Sequence, residues 1–239
     1  MNTKTPVQLS LNVSLRDDAT FANFYAQGEA NAQALFALRS VLDGQSYDNV
    51  LIWGARGAGL SHLLQGVCHQ ADERGLAVQY FPLADVRGYT AADLCEGLEA
   101  MDIVCLDGLE HICGNSDWEQ AIFHLYNRMR DAGKPLLLSS HTSPPSLPIL
   151  LPDLKSRVLG CVVYHVESLG DDGKKMAMIA RAAARGMEMP ADVATYILSR
   201  ASRDTAELFT LLNRLDDASL QEQRKLTIPF VKSVLGREH

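Results

Sequence analysis

The chain has 239 residues, of which 47% are hydrophobic and 21% are charged, and this composition excludes low-complexity disorder and collagen-like repeats. Its 29 acidic and 22 basic residues give a formal net charge of −7, which argues against broad, sequence-independent binding to nucleic acid. No apolar run reaches the roughly 18 to 20 residues that span a bilayer, and the N-terminus carries no apolar export signal. We therefore expect a cytoplasmic protein that does not insert into a membrane.

The length predicts one α/β domain with a smaller appendage, since domains average about 150 residues. The five cysteines are odd in number and lie mostly in apolar stretches, which favours reduced core thiols over disulfides. Cys68 and Cys113 lie close to histidines, but neither has a second ligand pair at zinc spacing. Buried or incidental cysteines are therefore favoured over a metal centre.

The first fifteen residues form a segment of their own. Pro6 to Val13 is apolar enough to bind a partner, but it is too isolated to be predicted as a core strand.

Five short and almost continuously apolar runs alternate with helical patterns. Such runs are typical of strands buried on both faces of a parallel sheet. The predicted strands are Asn49–Trp53, Ala77–Phe81, Asp102–Leu106, Pro135–Ser139 and Cys161–His165.

Helical spacing is clearest between the third and fourth predicted strands. Five large apolar residues share one helical face there, and Ser116 with Glu119 is predicted to form a capping box at the start of the helix. The face consists of Trp118, Ile122, Leu125, Tyr126 and Met129. The proline-rich stretch from Pro144 to Pro152 predicts a loop before the fifth strand.

Beyond Glu167 only helical patterns remain, so a small helical domain is predicted over residues 168–239. Pro190 marks the start of one helix, and a last amphipathic helix is predicted from Ile228 to Leu235. The first helix of this region has the apolar stripe Met176, Ile179, Ala180 and Ala183.

A glycine-rich turn connects the first predicted strand to a helix. Gly54, Gly57 and Gly59 allow successive N–H groups and the helix N-terminus to point at phosphate oxygens, while Ser61 stands where a hydroxyl would meet Mg²⁺. Leu60 replaces the lysine that usually contacts the β- and γ-phosphates. One charge-assisted contact contributes about 1.5 to 3 kcal/mol, so its loss weakens triphosphate binding and catalysis most. The alternative is a turn that binds no ligand.

The third predicted strand ends at Asp107, the position for a carboxylate that holds Mg²⁺ through water. In self-acting ATPases of this kind a glutamate normally follows to polarise the attacking water, and here the residue is Gly108. Glu110 lies two residues further and is expected to point elsewhere.

These features together resemble the DnaA-related family of AAA+ proteins, including its shorter regulatory members. The resemblance covers nearly the whole chain. It is carried by Thr20–Tyr25, the altered phosphate loop, Val104–Asp107, Leu151–Arg157 and Gln223–Val231. It implies an α/β AAA+ P-loop domain with a five-stranded parallel sheet over residues 16–167, followed by the helical lid.

The resemblance implies that Arg157 is an arginine finger, which reaches into the nucleotide site of a neighbouring subunit. Arginine suits this role because its guanidinium stays charged and forks across phosphate oxygens. Without the resemblance, Arg157 would be interpreted as a surface ion-pair residue.

The family also implies a bound nucleotide, here ADP or another nucleoside diphosphate. The residues expected to contact it are Phe24, Tyr25, Gly54, Arg56, Gly57, Ala58, Gly59, Leu60, Ser61, His62, Asp107 and Arg203. Ser61 and Asp107 would hold Mg²⁺ if it is bound. The resemblance implies that the family's lid arginine falls at Ala206 here, and whether Arg203, one turn earlier, replaces it stays open. Ser139, Ser140 and His141 share the position of the polar sensor on the fourth strand.

The segment 1–15 resembles the short peptides that dock into the bacterial sliding clamp, the β subunit of DNA polymerase III. Gln8 would hydrogen-bond at the rim of the clamp pocket, and Leu9, Leu11 and Val13 would fill it.

The expected function is therefore negative regulation of replication initiation. A clamp-bound, diphosphate-bound adaptor would promote hydrolysis of DnaA-bound ATP without hydrolysing ATP itself. No helix-turn-helix region follows the lid, so specific DNA binding is not expected. The alternatives are a self-acting P-loop ATPase such as a helicase loader, and a plain clamp-binding module. The oligomeric state, including a homo-oligomer, stays open.

Overall fold

The computed structural model describes residues 15, 16, 18–201 and 205–236, with the main chain alone at residue 206. This part of the chain divides into two compact units. One unit contains the described residues before Ala22 together with Gly28–Glu167. The other contains Ala22–Gln27 together with the described residues after Glu167.

A five-stranded parallel sheet forms the centre of the first unit, as the apolar runs predict. The strands are β1 (Val50–Trp53), β2 (Val78–Pro82), β3 (Ile103–Asp107), β4 (Leu136–Ser140) and β5 (Val162–His165). Their spatial order is β2-β3-β4-β1-β5, so β1 lies between β4 and β5. The predicted fold class is confirmed, and the carboxyl ends of β1, β3 and β4 meet at one edge.

The fifth strand differs from its prediction in burial. Val162 and Val163 are each 40% exposed, because among the described residues β5 is an edge strand that pairs with β1 alone. An apolar run alone does not distinguish an edge strand from a central one.

Six helices accompany the sheet in the first unit. They are α1 (Gly28–Leu42), α2 (Leu60–Glu73), α3 (Leu83–Val86), α4 (Ala91–Cys95), α5 (Ser116–Asp131) and α6 (Pro152–Leu159). The predicted apolar face of α5 is buried at all five positions. It packs in one core cluster with residues of β3, β4, α4 and α6.

The start of α5 differs from the predicted capping box. Asn115 is the N-cap, and its side chain accepts hydrogen bonds from the N–H groups of Asp117 and Trp118. Ser116 is the first helical residue and Glu119 is completely buried, so Glu119 does not close a box with Ser116. Asn and Ser are similarly good N-caps, which is why the sequence pattern shifts by one residue.

The proline-rich stretch is only partly the loop that was predicted. Pro144–Ser146 forms one turn of 3-10 helix, and Pro152 is the first residue of α6. Proline suits the first helical position because its missing N–H has no intrahelical partner there.

The second unit contains four helices with their own core. They are α7 (Asp171–Ala184), α8 (Ala191–Arg200), α9 (Thr205–Glu222) and α10 (Ile228–Leu235). The starts of α8 after Pro190 and of α10 at Ile228 agree with the predictions. The predicted stripe of α7 is wrong, since Met176, Ala180 and Ala183 are exposed.

The buried face of α7 includes two residues that a hydrophobicity pattern does not count. These are Gly173 and Arg181, which lie beside Ala177, Met178 and Ala182. The Arg181 guanidinium carbon lies 4.3 Å from the centroid of the Phe209 ring, so stacking contributes to its packing.

Within residues 15, 16, 18–201 and 205–236, no helix has both the length and the apolar character needed to cross a membrane. All five cysteines are free thiols, four of them buried.

Candidate functional site

The glycine-rich turn begins where β1 ends. The Gly54 N–H donates to the Ser140 carbonyl (3.2 Å), and the Val166 N–H donates to the Trp53 carbonyl (2.8 Å). A Cβ at Gly54 would lie 2.2 Å from the Val166 carbonyl oxygen and 3.3 Å from the Ala58 Cβ. Glycine is therefore required at Gly54 by the close approach of the chain after β5.

The later glycines turn the loop onto the N-terminus of α2. Gly57 and Gly59 have φ angles of 79° and 95°, in the left-handed region that glycine adopts without strain. Gly59 is the N-cap of α2 and has no side chain to cap the first N–H groups of the helix. A helix N-terminus of this kind carries partial positive charge and free donors, which suit a phosphate group.

The side chains along this loop face different surroundings. Ser61 and Arg56 are exposed, whereas Leu60 is 2% exposed and Ala58 is also buried. Leu60 therefore packs into the core and offers no charge to a ligand. His62 is half-buried, and its Nε2 donates to the Thr20 carbonyl at 2.8 Å, because a carbonyl oxygen can only accept.

Asp107 lies at the end of β3, which pairs directly with β4. Its Oδ2 accepts a hydrogen bond from the Tyr80 hydroxyl at 2.6 Å, and its Oδ1 accepts one from the Ser139 hydroxyl. Ser139 Oγ in turn accepts from the Gly108 N–H at 2.9 Å. Each carboxylate oxygen thus has one hydroxyl donor, which leaves lone pairs for one further ligand or water.

The sequence does not identify Tyr80 as a site residue, although it lies on β2, the strand beside β3. Burial, followed by the charge of Asp107 and the hydrogen bond to it, holds the pKa of the Tyr80 hydroxyl well above its ordinary value. The hydroxyl therefore stays protonated and donates to Asp107. Gln65 of α2 donates to the same hydroxyl oxygen at 3.3 Å, which connects α2 with the end of β3.

Gly108 occupies the position where a self-acting ATPase carries a glutamate. Its φ is 86°, and an added Cβ would lie 2.7 Å from His111 Cδ2. Both the backbone conformation and the neighbouring ring disfavour any side chain at this position.

Glu110 lies closer to the glycine-rich turn than expected. Its Oε2 accepts from the His141 N–H at 3.2 Å. His141 Nδ1 in turn donates to the Gly54 carbonyl at 3.1 Å. Of the three residues predicted to share the sensor position, Ser139 contacts Asp107, Ser140 Oγ accepts from the Thr142 N–H, and His141 contacts the turn.

Arg157 lies in the last turn of α6 and is half-buried. Its guanidinium carbon is 5.9 Å from the centroid of the Tyr126 ring. Among the residues that the structure describes, no carboxylate oxygen lies within 4.0 Å of this guanidinium. The arginine therefore rests on an aromatic ring and is not held in an ion pair within this part of the chain.

Other predicted site residues fall elsewhere. Phe24 and Tyr25 cluster with the second unit, and Tyr25 is 36% exposed. The predicted clamp-binding residues and Arg203 lie outside the described residues, as does the side chain of Ala206. The clamp-binding residues are Gln8, Leu9, Leu11 and Val13.

Two family models match the chain. The model described as "Bacterial DnaA ATPAse domain" matches residues 15–164, more than half of the chain. The model described as "Hda, lid domain" matches residues 171–235. The second match runs from the first residue of α7 to the last residue of α10.

Solved structures with the same fold include DnaA proteins and a branch-migration motor. Domain III of DnaA from Thermotoga maritima is 21% identical, with a TM-score of 0.76 over 94% of this chain and 98% of that one. AMPPCP-bound DnaA from Aquifex aeolicus is 24% identical, with a TM-score of 0.70 over 83% of this chain and 65% of that one. The RuvB Holliday junction motor of Thermotoga maritima is 17% identical, with a TM-score of 0.64 over 87% of this chain and 69% of that one.

Proposed function

Since this chain belongs to the family of bacterial DnaA ATPase domains and carries a lid of the Hda type, we propose that it is an adaptor that switches off DnaA. In this role it binds a nucleoside diphosphate, attaches to the sliding clamp, and promotes hydrolysis of the ATP bound to DnaA. Its own contribution to that reaction is the Arg157 guanidinium.

The environment of Arg157 is the observation that supports this proposal most. The guanidinium lies over Tyr126 and has no carboxylate within 4.0 Å among the described residues. An arginine committed to a buried ion pair could not be transferred to a phosphate without a large cost. Among the described residues the guanidinium has only a cation–π contact, worth about 0.5 to 2 kcal/mol, which leaves its N–H donors available to a phosphate.

The proposed action of Arg157 is electrostatic. Its planar fork donates two hydrogen bonds to oxygens of the γ-phosphoryl group of the ATP on DnaA, where negative charge accumulates during transfer to water. A finger supplied in trans contributes about 10³ to 10⁵ in rate, equivalent to roughly 4 to 7 kcal/mol of the barrier.

The chain's own phosphate loop suits a diphosphate better than ATP turnover. Gly57, Gly59 and the uncapped N-terminus of α2 present backbone N–H groups, which hold phosphate without a lysine. Leu60 is buried and supplies no charge to a γ-phosphate. Gly108 supplies no carboxylate to polarise water.

Magnesium is compatible with this site without being required by it. Ser61 is exposed at the start of α2, and Asp107 retains acceptor capacity beside its two hydroxyl donors. These two residues would hold Mg²⁺, which when bound neutralises phosphate charge. The proposed ligand is ADP or a related diphosphate.

Attachment to the clamp is proposed for the N-terminal segment. Gln8, Leu9, Leu11 and Val13 would bind the hydrophobic pocket of the clamp as an extended peptide. Tethering raises the local concentration of Arg157 near DnaA without a strong direct contact between the two proteins.

The test is ATP turnover by DnaA in the presence of DNA-loaded clamp and the full chain. We expect Arg157→Ala to lower the stimulated rate by about 10³-fold or more. Lys155→Ala, which removes a positive charge two residues earlier on α6, is the matched control and should keep most of the stimulation. Equal stimulation by Arg157→Ala and the unaltered chain would refute the proposal.

The alternative is a self-acting ATPase, and one contact favours it. Glu110 reaches the His141 N–H beside the glycine-rich turn, so a carboxylate does lie near the loop. Under that alternative the purified chain hydrolyses ATP without DnaA, and both Ser61→Ala and Glu110→Gln abolish the activity. Under our proposal the purified chain shows no turnover that these substitutions remove.

A further inference from the structure

Glu119 is a carboxylate with no exposed surface, and the predicted function does not use it. Its Oε1 accepts from the N–H groups of Gly114 and Leu150 at 2.7 and 3.1 Å, and its Oε2 accepts from the N–H groups of Leu150 and Leu151 at 3.0 and 2.7 Å. A buried charge is costly unless such donors satisfy it. The fold therefore places a fully buried carboxylate where it fixes the chain at residues 150 and 151.

These two residues immediately precede α6. Leu151 is the N-cap of α6 and forms no side-chain cap, and Pro152 follows as the first helical residue. The helix has only eight residues, so Arg157 lies about 9 Å along the axis from Leu151 at a rise of about 1.5 Å per residue. A shift of the N-cap is thus transmitted to the guanidinium over fewer than two helical turns.

The side chain of Leu150 does not explain why its backbone is fixed. Leu147 and Ile149, just before it, are buried and anchor the loop by packing, whereas Leu150 is 68% exposed. Packing alone would leave residue 150 free to move. The hydrogen bonds to Glu119 extend the rigid part of the loop up to the start of α6.

Glu119 belongs to α5, and α5 also contacts the last turn of α6. Tyr126, seven residues after Glu119 and therefore on the same face of α5, supports the Arg157 guanidinium. Glu119 thus holds the start of α6, and Tyr126 contacts its last turn.

We propose that Glu119 is a positioning residue for Arg157, a role that rests on the proposed function of Arg157 as a finger in trans. Glu119 fixes the N-cap of α6 through the Leu150 and Leu151 amides, and α6 carries the guanidinium to its working position. Catalytic groups require this accuracy, since a misplacement of about 1 Å can reduce a rate by about 10²-fold.

The test uses the full chain in the same assay of clamp-dependent ATP turnover by DnaA. Glu119→Gln preserves shape, but in either orientation its NH₂ group replaces an oxygen that accepts from the Leu150 N–H, so at least one contact with the chain before α6 is lost. Leu94→Ala is the control, because it removes buried volume from α4 in the same core without touching these contacts. Both the maximal stimulated rate and the half-saturating chain concentration are measured.

We expect Glu119→Gln to lower the maximal rate by about 10²-fold with little change in the half-saturating concentration, and Leu94→Ala to leave the maximal rate within about twofold. Similar maximal rates for the two variants, or a change confined to the half-saturating concentration, would overturn the role of Glu119. Arg157→Ala is measured alongside. If it loses stimulation while Glu119→Gln does not, only the role of Glu119 is refuted. If Arg157→Ala keeps full stimulation, both proposals fall.

A second measurement uses the unaltered chain and does not depend on a variant that folds. Hydrogen exchange should show the Leu150 and Leu151 amides protected to the same degree as amides of β4, despite the exposure of Leu150. Exchange of these amides at the rate of an open loop would overturn the proposal.

Discussion

Replacing Gly54 by alanine tests how tightly the glycine-rich turn is packed against the chain after β5. The new Cβ would lie 2.2 Å from the Val166 carbonyl oxygen, whereas real Cβ atoms essentially never come closer than 3.0 Å. One backbone must therefore retreat by about 0.8 Å, and neither can do so freely. Gly54 is hydrogen-bonded to Ser140, and Val166 to Trp53.

The expected loss follows from these contacts. Overpacking of a well-packed site costs about 1 to 3 kcal/mol, and weakening one of the two backbone hydrogen bonds adds about 0.5 to 1.5 kcal/mol. We expect Gly54→Ala to lower the free energy of unfolding by roughly 2 to 4 kcal/mol. With a urea dependence of about 2 kcal/mol per molar, the unfolding midpoint falls by about 1 to 2 M.

Gly88→Ala is the matched control for this measurement. An added Cβ at Gly88 meets nothing within 4 Å, and its φ lies outside the left-handed region. It should change stability by no more than about 1 kcal/mol, in the stabilising direction, because alanine reduces the entropy of the unfolded chain. Equal midpoints for Gly54→Ala and Gly88→Ala would refute the packing described for the turn.

Three further predictions concern Gly108, the cysteines and Tyr126. Gly108→Ala should destabilise the chain by about 1 to 3 kcal/mol and by more than Gly133→Ala, whose φ is also positive but whose Cβ would meet nothing within 4 Å. Gly108→Glu should not create ATP turnover, because the buried Leu60 still supplies no charge to a γ-phosphate, and turnover in that variant would contradict this role of Leu60. Burial raises the pKa of the Cys113 thiol to about 11 and that of Cys161 to about 12. Labelling of these two thiols should therefore be slow at pH 8, where about 10⁻³ of Cys113 is thiolate, and should rise about tenfold per pH unit up to the pKa. Fast labelling of Cys113 or Cys161 in the folded chain at pH 8 would be inconsistent with these environments. Tyr126→Leu removes the ring under Arg157 and should lower the DnaA-stimulated rate by about two- to thirtyfold, whereas Tyr126→Phe keeps the ring and the rate. Equal rates for the two variants would show that Arg157 does not need the ring for its action on DnaA.

The sheet could be predicted from the sequence because its strands are buried and therefore almost continuously apolar. All five strands lie within one residue of the predicted runs. The exposure of β5 could not be predicted, since strand order depends on crossovers that leave no local signal.

Helix positions were predictable where caps and apolar spacing agree. The start of α10 at Ile228 follows from such a pattern, and Thr227 caps it. The face of α7 was predicted wrongly because Arg181 and Gly173 are buried there, and a scale of apolar residues excludes both. The sequence does not predict α6, because Pro152 ends a proline-rich stretch that is typical of a loop, although proline also begins helices.

The sequence predicts the parts of the candidate site that lie within one segment, but not the contacts between different strands. The glycine spacing predicts the turn, and the end of the third apolar run predicts Asp107. The contacts of Asp107 with Tyr80 and Ser139 join three strands, so no spacing in one segment indicates them. The position of Glu119 in the sequence predicts helix capping, but besides Gly114 its partners are Leu150 and Leu151, which lie 31 and 32 residues further along the chain.

The most direct measurement is single-turnover hydrolysis of labelled ATP preloaded on DnaA, with clamp on DNA and the chain at a saturating concentration. Saturation separates the chemical step from binding, so the rate reports on Arg157 alone when Arg157→Ala is compared with the unaltered chain. A rate that falls by about 10³-fold or more in Arg157→Ala, with unchanged binding to DnaA and to the clamp, is the result expected for a finger acting in trans. An unchanged rate at saturation would contradict it.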